Sequence, residues 1–246
     1  AIGSAMFLIG IAVLLAGFVS PIRSDTPTDY LVLMFSSPLI LLIFLFDGSL
    51  SRIDGLLLLL AFSLVLFYIV RRETSEERGY MMDEEAEEAM EELEEGEIKK
   101  RIYPALMVLF LLGIVIGSEL SVRGARELIA SVELSGTVFG MTIVGLVMSL
   151  EEILLVVEPV REGRVKIATG NVIGSLIFFS LGNIGLIALV RGFVVSGSVL
   201  SFYWPFFFGS IALVALFLLR GKIGRKEGLV LGIVYAFYWV LSYTYL

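Results

Sequence analysis

The sequence predicts an all-α polytopic membrane protein of about eight transmembrane helices, and three observations predict it. Hydrophobic residues fill 58% of the 246 positions and charged residues only 17%, giving a mean hydropathy of +0.95. The apolar residues fall in runs of roughly 17–25, the length a helix needs to cross a bilayer. Lipid-exposed backbone must satisfy its own hydrogen bonds, which helices do within a single run.

The runs place spans at about 2–20, 30–46, 55–71, 103–118, 135–157, 170–190, 199–219 and 228–245. Between the third and fourth lies a hydrophilic stretch, Arg72 to Arg101, with DEEAEEAMEELEEGE at its core. It reads as a solvated helix or flexible linker joining two parts. Loops at 21–29, 71–101, 159–169 and 220–227 hold fourteen of the eighteen Lys and Arg residues; the alternate loops hold Arg52, Arg123, Arg126 and Arg191. The positive-inside rule therefore puts the first set, and the acidic linker, in the cytoplasm and both termini outside.

The chain resembles itself. DGSLSRIDGLLLL at 47–59 pairs with RGKIGRKEGLVLG at 220–232, matching Gly48 to Gly221, Arg52 to Arg225, Asp54 to Glu227 and Gly55 to Gly228. Upstream, FSSP ending at Pro38 pairs with FYWP ending at Pro205, and AIGSAMF at 1–7 pairs with VIGSLIF at 172–178. The matched segments enter the membrane from opposite sides, which is an inverted-topology repeat of the kind that builds secondary transporters. Residues 1–71 read as the remainder of a first repeat with three helices, 72–101 as the cytoplasmic linker, and 102–246 as a second repeat with five. The spans at 103–157 have no partner before residue 1, so the expectation is a ten-helix 5+5 fold with about 70 further residues upstream.

Within the fifth span stand two adjacent carboxylates, Glu151 and Glu152. An ionised acid at a bilayer's centre costs roughly 2.5–3.5 kcal/mol or more, and chains that keep one use it for ions, protons or substrate. Thr142, Gly145, Ser149 and Glu152 follow at steps of three and four, so they share a helical face, while Glu151 points elsewhere. The next span opens GNVIGSLIFFSLGN, where Asn171, Ser175 and Gly182 share a face and Gly170 and Gly174 leave backbone accessible. Asn171 reads either as a ligand or as a group linking helices, and the serines either as ligands or as small residues for close packing. Asn183 reads as an interhelical hydrogen bonder. Tyr203, Trp204, Tyr238, Trp239 and Tyr243 read as interfacial belt or packing residues, and Pro38 and Pro205 as kinks in paired helices. With no cysteine and no histidine, a metal must be held by oxygen, which suits hard cations such as Ca²⁺ or Na⁺ and argues against zinc or copper. No nucleophile–base pair points to an enzyme, and no basic stripe points to nucleic acid.

SLEE at 149–152, followed after a basic loop by GNVIGSLIFF, resembles the second alpha-repeat of the sodium/calcium exchanger family, which reads roughly GTSLPE and then GNxxGSNIFN. AIGSAMF resembles the tail of the family's first alpha-repeat, and the acidic linker sits where the family has its cytoplasmic loop. The resemblance is to a divergent prokaryotic-type member lacking the N-terminal part of the first alpha-repeat. It implies a cation antiporter in a prokaryotic plasma membrane, moving Ca²⁺ against Na⁺ or H⁺ and needing no cofactor. It further implies that Glu152 is the metal-binding carboxylate, joined by Ser149, Ser175 and Ser4, with Glu151 and Asn171 as further oxygens and Gly3, Gly145, Gly170 and Gly174 as packing or site backbone. Three departures stand out. Glu151 replaces the family's Pro, Val147-Met148 replace its Gly-Thr, and Leu8 and Phe179 replace an amide or acid four residues after each GS serine. Loss of the helix breakers and of two side-chain oxygens leaves three readings open: sodium/calcium exchange, carriage of another cation or exchange for protons, and a fold retained without transport.

Overall fold

The computed structural model describes residues 1–23, 25–75 and 135–245, with isolated helical residues between 106 and 127. Among these, six helices are long and apolar enough to span a membrane and one further pair forms a bent span. They are α1 (Ile2–Val19), α2 (Thr28–Leu45), α3 (Arg52–Ser75), the bent pair α4 (Gly136–Val147) and α5 (Glu151–Arg161), α6 (Val165–Val190), α7 (Val199–Leu219) and α8 (Arg225–Tyr245). Seven of the expected spans are thus present. The eighth, 103–118, and most of the acidic linker fall largely outside the described residues.

Helix α3 runs beyond the predicted 55–71 at both ends for local reasons. Ser51 and Asp54 cap its start reciprocally: Ser51 N–H donates to Asp54 Oδ2 at 2.8 Å, and Asp54 N–H donates to Ser51 Oγ at 3.2 Å. This is a capping box, which satisfies two of the helix's orphan donors. At its far end a polar cluster keeps the helix going. Arg72 pairs with Asp29 at 2.7 Å, Tyr68 donates to Asp29 at 3.0 Å, and the Tyr30 hydroxyl donates to the buried Glu73.

Four two-residue strands lie between the helices: β1 (Ile22–Arg23), β2 (Ser49–Leu50), β3 (Phe193–Val194) and β4 (Lys222–Ile223). The first pairs antiparallel with β4, Ile22 opposite Ile223, and β2 pairs antiparallel with β3, Ser49 opposite Val194. These pairings fix the topology. The end of α1 and the start of α8 share one membrane face; the end of α6 and the start of α3 share the other. Each helix crosses once, so α1 and α6 run in opposite directions, as do α3 and α8. The sequence repeat is therefore an inverted structural one. The faces agree with the charge count: loops 21–29 and 220–227 lie together.

Each matched residue pair has matched work. Gly48 and Gly221 take φ of +75° and +73° before β2 and β4, a region open to glycine at little cost. Asp54 caps α3, and Glu227 Oε2 accepts from Gly224 N–H at 2.9 Å at the start of α8. Gly55 lets α3 press on Gly185 and Leu189 of α6, and Gly228 lets α8 press on Leu14 of α1. Phe7 meets Tyr235 edge-on at 6.3 Å, and its repeat equivalent Phe178 meets Phe62 at 5.7 Å. Both α1 and α6 carry a π-helical stretch at equivalent places, Leu8–Ala12 and Phe178–Asn183.

The core lies where α1 and α6 cross, with Leu8, Ile9, Ile173 and Leu176 fully enclosed. Pro38 sits inside α2, where its missing N–H orphans the Met34 carbonyl; the Ser37 hydroxyl donates to that carbonyl at 2.9 Å. Trp204, one residue before Pro205, donates its indole N–H to the Pro38 carbonyl at 3.0 Å, tying α7 to α2. Tyr203 and Tyr238 are wholly buried, so these aromatics pack the interior and do not form an interfacial belt.

Candidate functional site

The bent span α4–α5 builds the site. Its two pieces meet at 41° across Met148–Leu150, although neither Gly nor Pro stands there. The backbone makes the break by switching from i→i−4 to i→i−3 bonds. Ser149 N–H donates to Leu146 at 3.2 Å, Glu152 N–H to Ser149 at 3.1 Å and Ile153 N–H to Leu150 at 3.3 Å, each i→i−3. In a continuous helix those of Ser149 and Glu152 would go to the carbonyls of Gly145 and Met148. Both carbonyls are thereby released from the helical ladder, so the break survives the loss of its usual breakers.

The predicted stripe is the buried face. Thr142 and Ser149 are fully enclosed and Glu152 is 6% exposed, whereas Val147, Met148, Leu150 and Glu151 are exposed. Glu152 faces α6. Asn171 Nδ2 donates to Glu152 Oε2 at 3.1 Å, and the Ser175 hydroxyl donates to the same oxygen at 3.5 Å. Asn171 and Ser175 lie four residues apart and so present one face. Asn171 thus links α6 to α5 as a donor. The hydroxyl of Ser149, one turn before the carboxylate, is buried with no hydrogen-bond partner among the described residues. A buried polar atom without a partner is rare and asks for one.

The other candidates divide. Gly3 and Gly145 are in close contact: a Cβ on Gly3 would collide with the Met141 carbonyl, and one on Gly145 would meet the Gly3 backbone at 2.6 Å. Ser4, next to Gly3, is buried at 6% exposure. Gly170 is half-buried on α6. A Cβ on Gly174 would meet no described atom within 4 Å. Nothing described packs on α6 at that point, whereas α4 packs on α1 at the equivalent Gly3. Glu151 is exposed among the described residues, because the stripe that turns inward at Ser149 and Glu152 turns its neighbour outward. Leu8 and Phe179 are buried apolar residues, so no side-chain oxygen comes from those positions. The Asn183 side chain forms no hydrogen bond among the described residues. No group of three Asp or Glu side chains gathers among the described residues, so the cluster offers one carboxylate with neutral oxygens around it.

Sequence reasoning missed Tyr238 and Tyr243 as partners of the site helix. Tyr238 donates to the Met141 carbonyl at 2.7 Å, and the Tyr243 and Thr142 hydroxyls lie 3.0 Å apart. Their ring positions on α8 carried no signal beyond apolar packing.

The sodium/calcium exchanger protein family model matches residues 102–244. Among curated relatives, the uncharacterized membrane protein MJ0091 of Methanocaldococcus jannaschii is 26% identical over 93% of this chain and 70% of its own length. The inner membrane protein YrbG of Escherichia coli is 32% identical over 75% of this chain and 56% of its own length. The sodium/calcium exchanger MaX1 of Methanosarcina acetivorans is 34% identical over 61% of this chain and 43% of its own length. The chain thus spans about half the length of two of these three. Among solved structures, the sodium-calcium exchanger NCX_Mj superposes with a TM-score of 0.65 at 24% identity, covering 96% of this chain and 73% of that one. That likeness establishes the all-helical transporter fold.

Proposed function

Because the chain belongs to the sodium/calcium exchanger family, we propose that it exchanges Na⁺ for Ca²⁺ across a prokaryotic plasma membrane, with Glu152 as the carboxylate that holds the ion. The observation that carries this reading is a buried carboxylate at a break in a spanning helix, held by Asn171 and Ser175 on one oxygen only. Its other oxygen, the unpartnered Ser149 hydroxyl and the carbonyls released at Gly145 and Met148 are hard oxygen donors. Calcium takes six to eight such oxygens, and Na⁺ competes for the same donors. Ser175 and, from α1, Ser4 are further oxygens of the proposed shell.

The charge explains why such a site exchanges ions and does not leak them. An ionised carboxylate in hydrocarbon costs roughly 2.5–3.5 kcal/mol or more. A bound cation offsets that cost, so the loaded site changes sides more readily than the empty one. Alternating access then couples inward Ca²⁺ to outward Na⁺, or the reverse. Residues 1–71 and 102–246 act as the two moving halves, and 72–101 as their acidic cytoplasmic connection. The match of names is consistent with this: MaX1 and NCX_Mj are both called sodium/calcium exchangers.

Radiolabelled Ca²⁺ uptake into proteoliposomes, with an outward Na⁺ gradient switched on and off, tests the proposal. Gradient-driven uptake that falls to background in Glu152→Gln supports it. Uptake driven by a pH gradient alone would replace Na⁺ with protons, and full uptake in Glu152→Gln would remove Glu152 from the site.

A further inference from the structure

We infer that Tyr238 and Tyr243 on α8 are positioning residues that hold the site helix α4–α5 at its working angle. The inference rests on the antiport reading for its meaning and on separate geometry for its support. Helix α4 contains a π-helical stretch, Gly140–Val144. A π-turn shifts the ladder by one residue and leaves backbone acceptors with spare capacity. The Met141 carbonyl in this stretch accepts from the Tyr238 hydroxyl at 2.7 Å. The Thr142 hydroxyl donates to Val138 at 2.7 Å, so at its 3.0 Å contact with Tyr243 it is the acceptor. Two adjacent residues of the π stretch are therefore gripped by one helix. The same Met141 carbonyl is the atom against which Gly3 rests, so α4 is held between α1 and α8 at one level.

From Thr142 the helix runs about 15 Å along its axis to Glu152, at about 1.5 Å per residue. The tyrosines therefore do not touch the ion; they act through the helix that carries its ligands. The internal repeat supplies the control that separates this role from packing. Counting from the matched Gly55 and Gly228, Phe62 stands where Tyr235 does, and their ring contacts to Phe178 and Phe7 are duplicated. Ring packing is what the shared scaffold requires. Counting on, Val65 and Val70 stand where Tyr238 and Tyr243 do. The hydroxyls that reach α4 occur only on the half that packs against it at these positions. Tyr238 is wholly buried and its hydroxyl finds its partner on the site helix.

Replacing the hydroxyls alone tests this. Tyr238→Phe and Tyr243→Phe keep the rings, and Thr142→Val removes the acceptor while Thr142→Ser keeps it. Interhelical hydrogen bonds in membranes are modest, so each single variant is expected to raise the half-saturating Ca²⁺ concentration or lower the maximal rate by about threefold, and the double tyrosine variant by about tenfold. Thr142→Ser should restore what Thr142→Val loses. The absence of native cysteine permits a second readout independent of transport. Spin labels at Met148→Cys and Leu64→Cys, both exposed, report the distance from the bend to α3. A broader or shifted distance distribution in the double variant is expected. An unchanged distribution together with unchanged flux parameters overturns the inference. If the wild-type protein shows no Na⁺-driven Ca²⁺ uptake the antiport reading falls, and the label distances alone then decide whether the tyrosines position α4.

Discussion

Helices α1–α3 and α6–α8 share one plan, inverted across the membrane, yet the same residue meets different surroundings in each. Gly3 and Gly174 head the same GS pair. Gly3 is pressed against the Met141 carbonyl and the Gly145 backbone, whereas Gly174 has open space beside its α-carbon. Ser175, after Gly174, donates to Glu152, while Ser4, after Gly3, lies where α1 crosses α4. Among the described residues, the bent span meets the two differently. Its α4 piece packs on α1, and its carboxylate turns to α6. A repeated sequence thus fixes a repeated scaffold, and among the described residues the bent span meets its two copies in different ways.

Three pairs of substitutions sharpen or break that comparison. The largest effect belongs to the glycines. Gly3→Ala forces a methyl into the Met141 carbonyl and should cost about 1–3 kcal/mol, the usual range for overpacking. Gly174→Ala should be neutral or gain up to about 1 kcal/mol from helix propensity. Thermal unfolding of the detergent-purified protein measures both, and equal losses would mean that the two halves pack alike. Next come the groups around Glu152. Asn171→Ala removes a hydrogen bond to a charged group, worth about 1.5–3 kcal/mol in general, and should weaken Ca²⁺ affinity by roughly tenfold or more. Phe179→Asn should tighten it a few-fold by adding an oxygen to α6; equilibrium ⁴⁵Ca²⁺ binding checks the pair, and an unmoved affinity in both places the ion away from α6. The smallest effect tests what the halves share. Gly48→Ala and Gly221→Ala each impose positive φ on a residue with a Cβ, at about 1–2 kcal/mol. Matched shifts in unfolding temperature are expected, and a shift confined to one would show that the two turns bear unequal load.

Much of this was legible before any coordinates. Seven spans lie where hydropathy puts them, because the need to bury a helix in lipid is met residue by residue within one run. The repeat was legible because Gly48, Asp54 and Gly55 answer local demands, a left-handed turn, a helix cap and a close crossing, that recur at Gly221, Glu227 and Gly228. The stripe Thr142, Gly145, Ser149 and Glu152 was legible from helical spacing alone. Other features were not. The break at Met148–Leu150 has neither Gly nor Pro to announce it; it arises from three hydrogen bonds that switch to i→i−3 spacing together. The strands are two residues long, too short for any period to register. Glu73 reads as the first acid of a solvated linker, yet it is buried against Tyr30 because α3 continues past its apolar run.

The sequence by itself determined that this chain spans a membrane many times, that its halves are inverted copies, and that one helical face carries a carboxylate. Those properties depend on neighbours three or four residues away, or on a run's total hydropathy. Only the tertiary structure decided that Asn171 and not Glu151 accompanies Glu152, that Gly3 is crowded where Gly174 is not, and that tyrosines of α8 reach α4. Each of those outcomes depends on which helices pack together, and residues nearly a hundred positions apart, such as Met141 and Tyr238, become neighbours only when the bundle has closed.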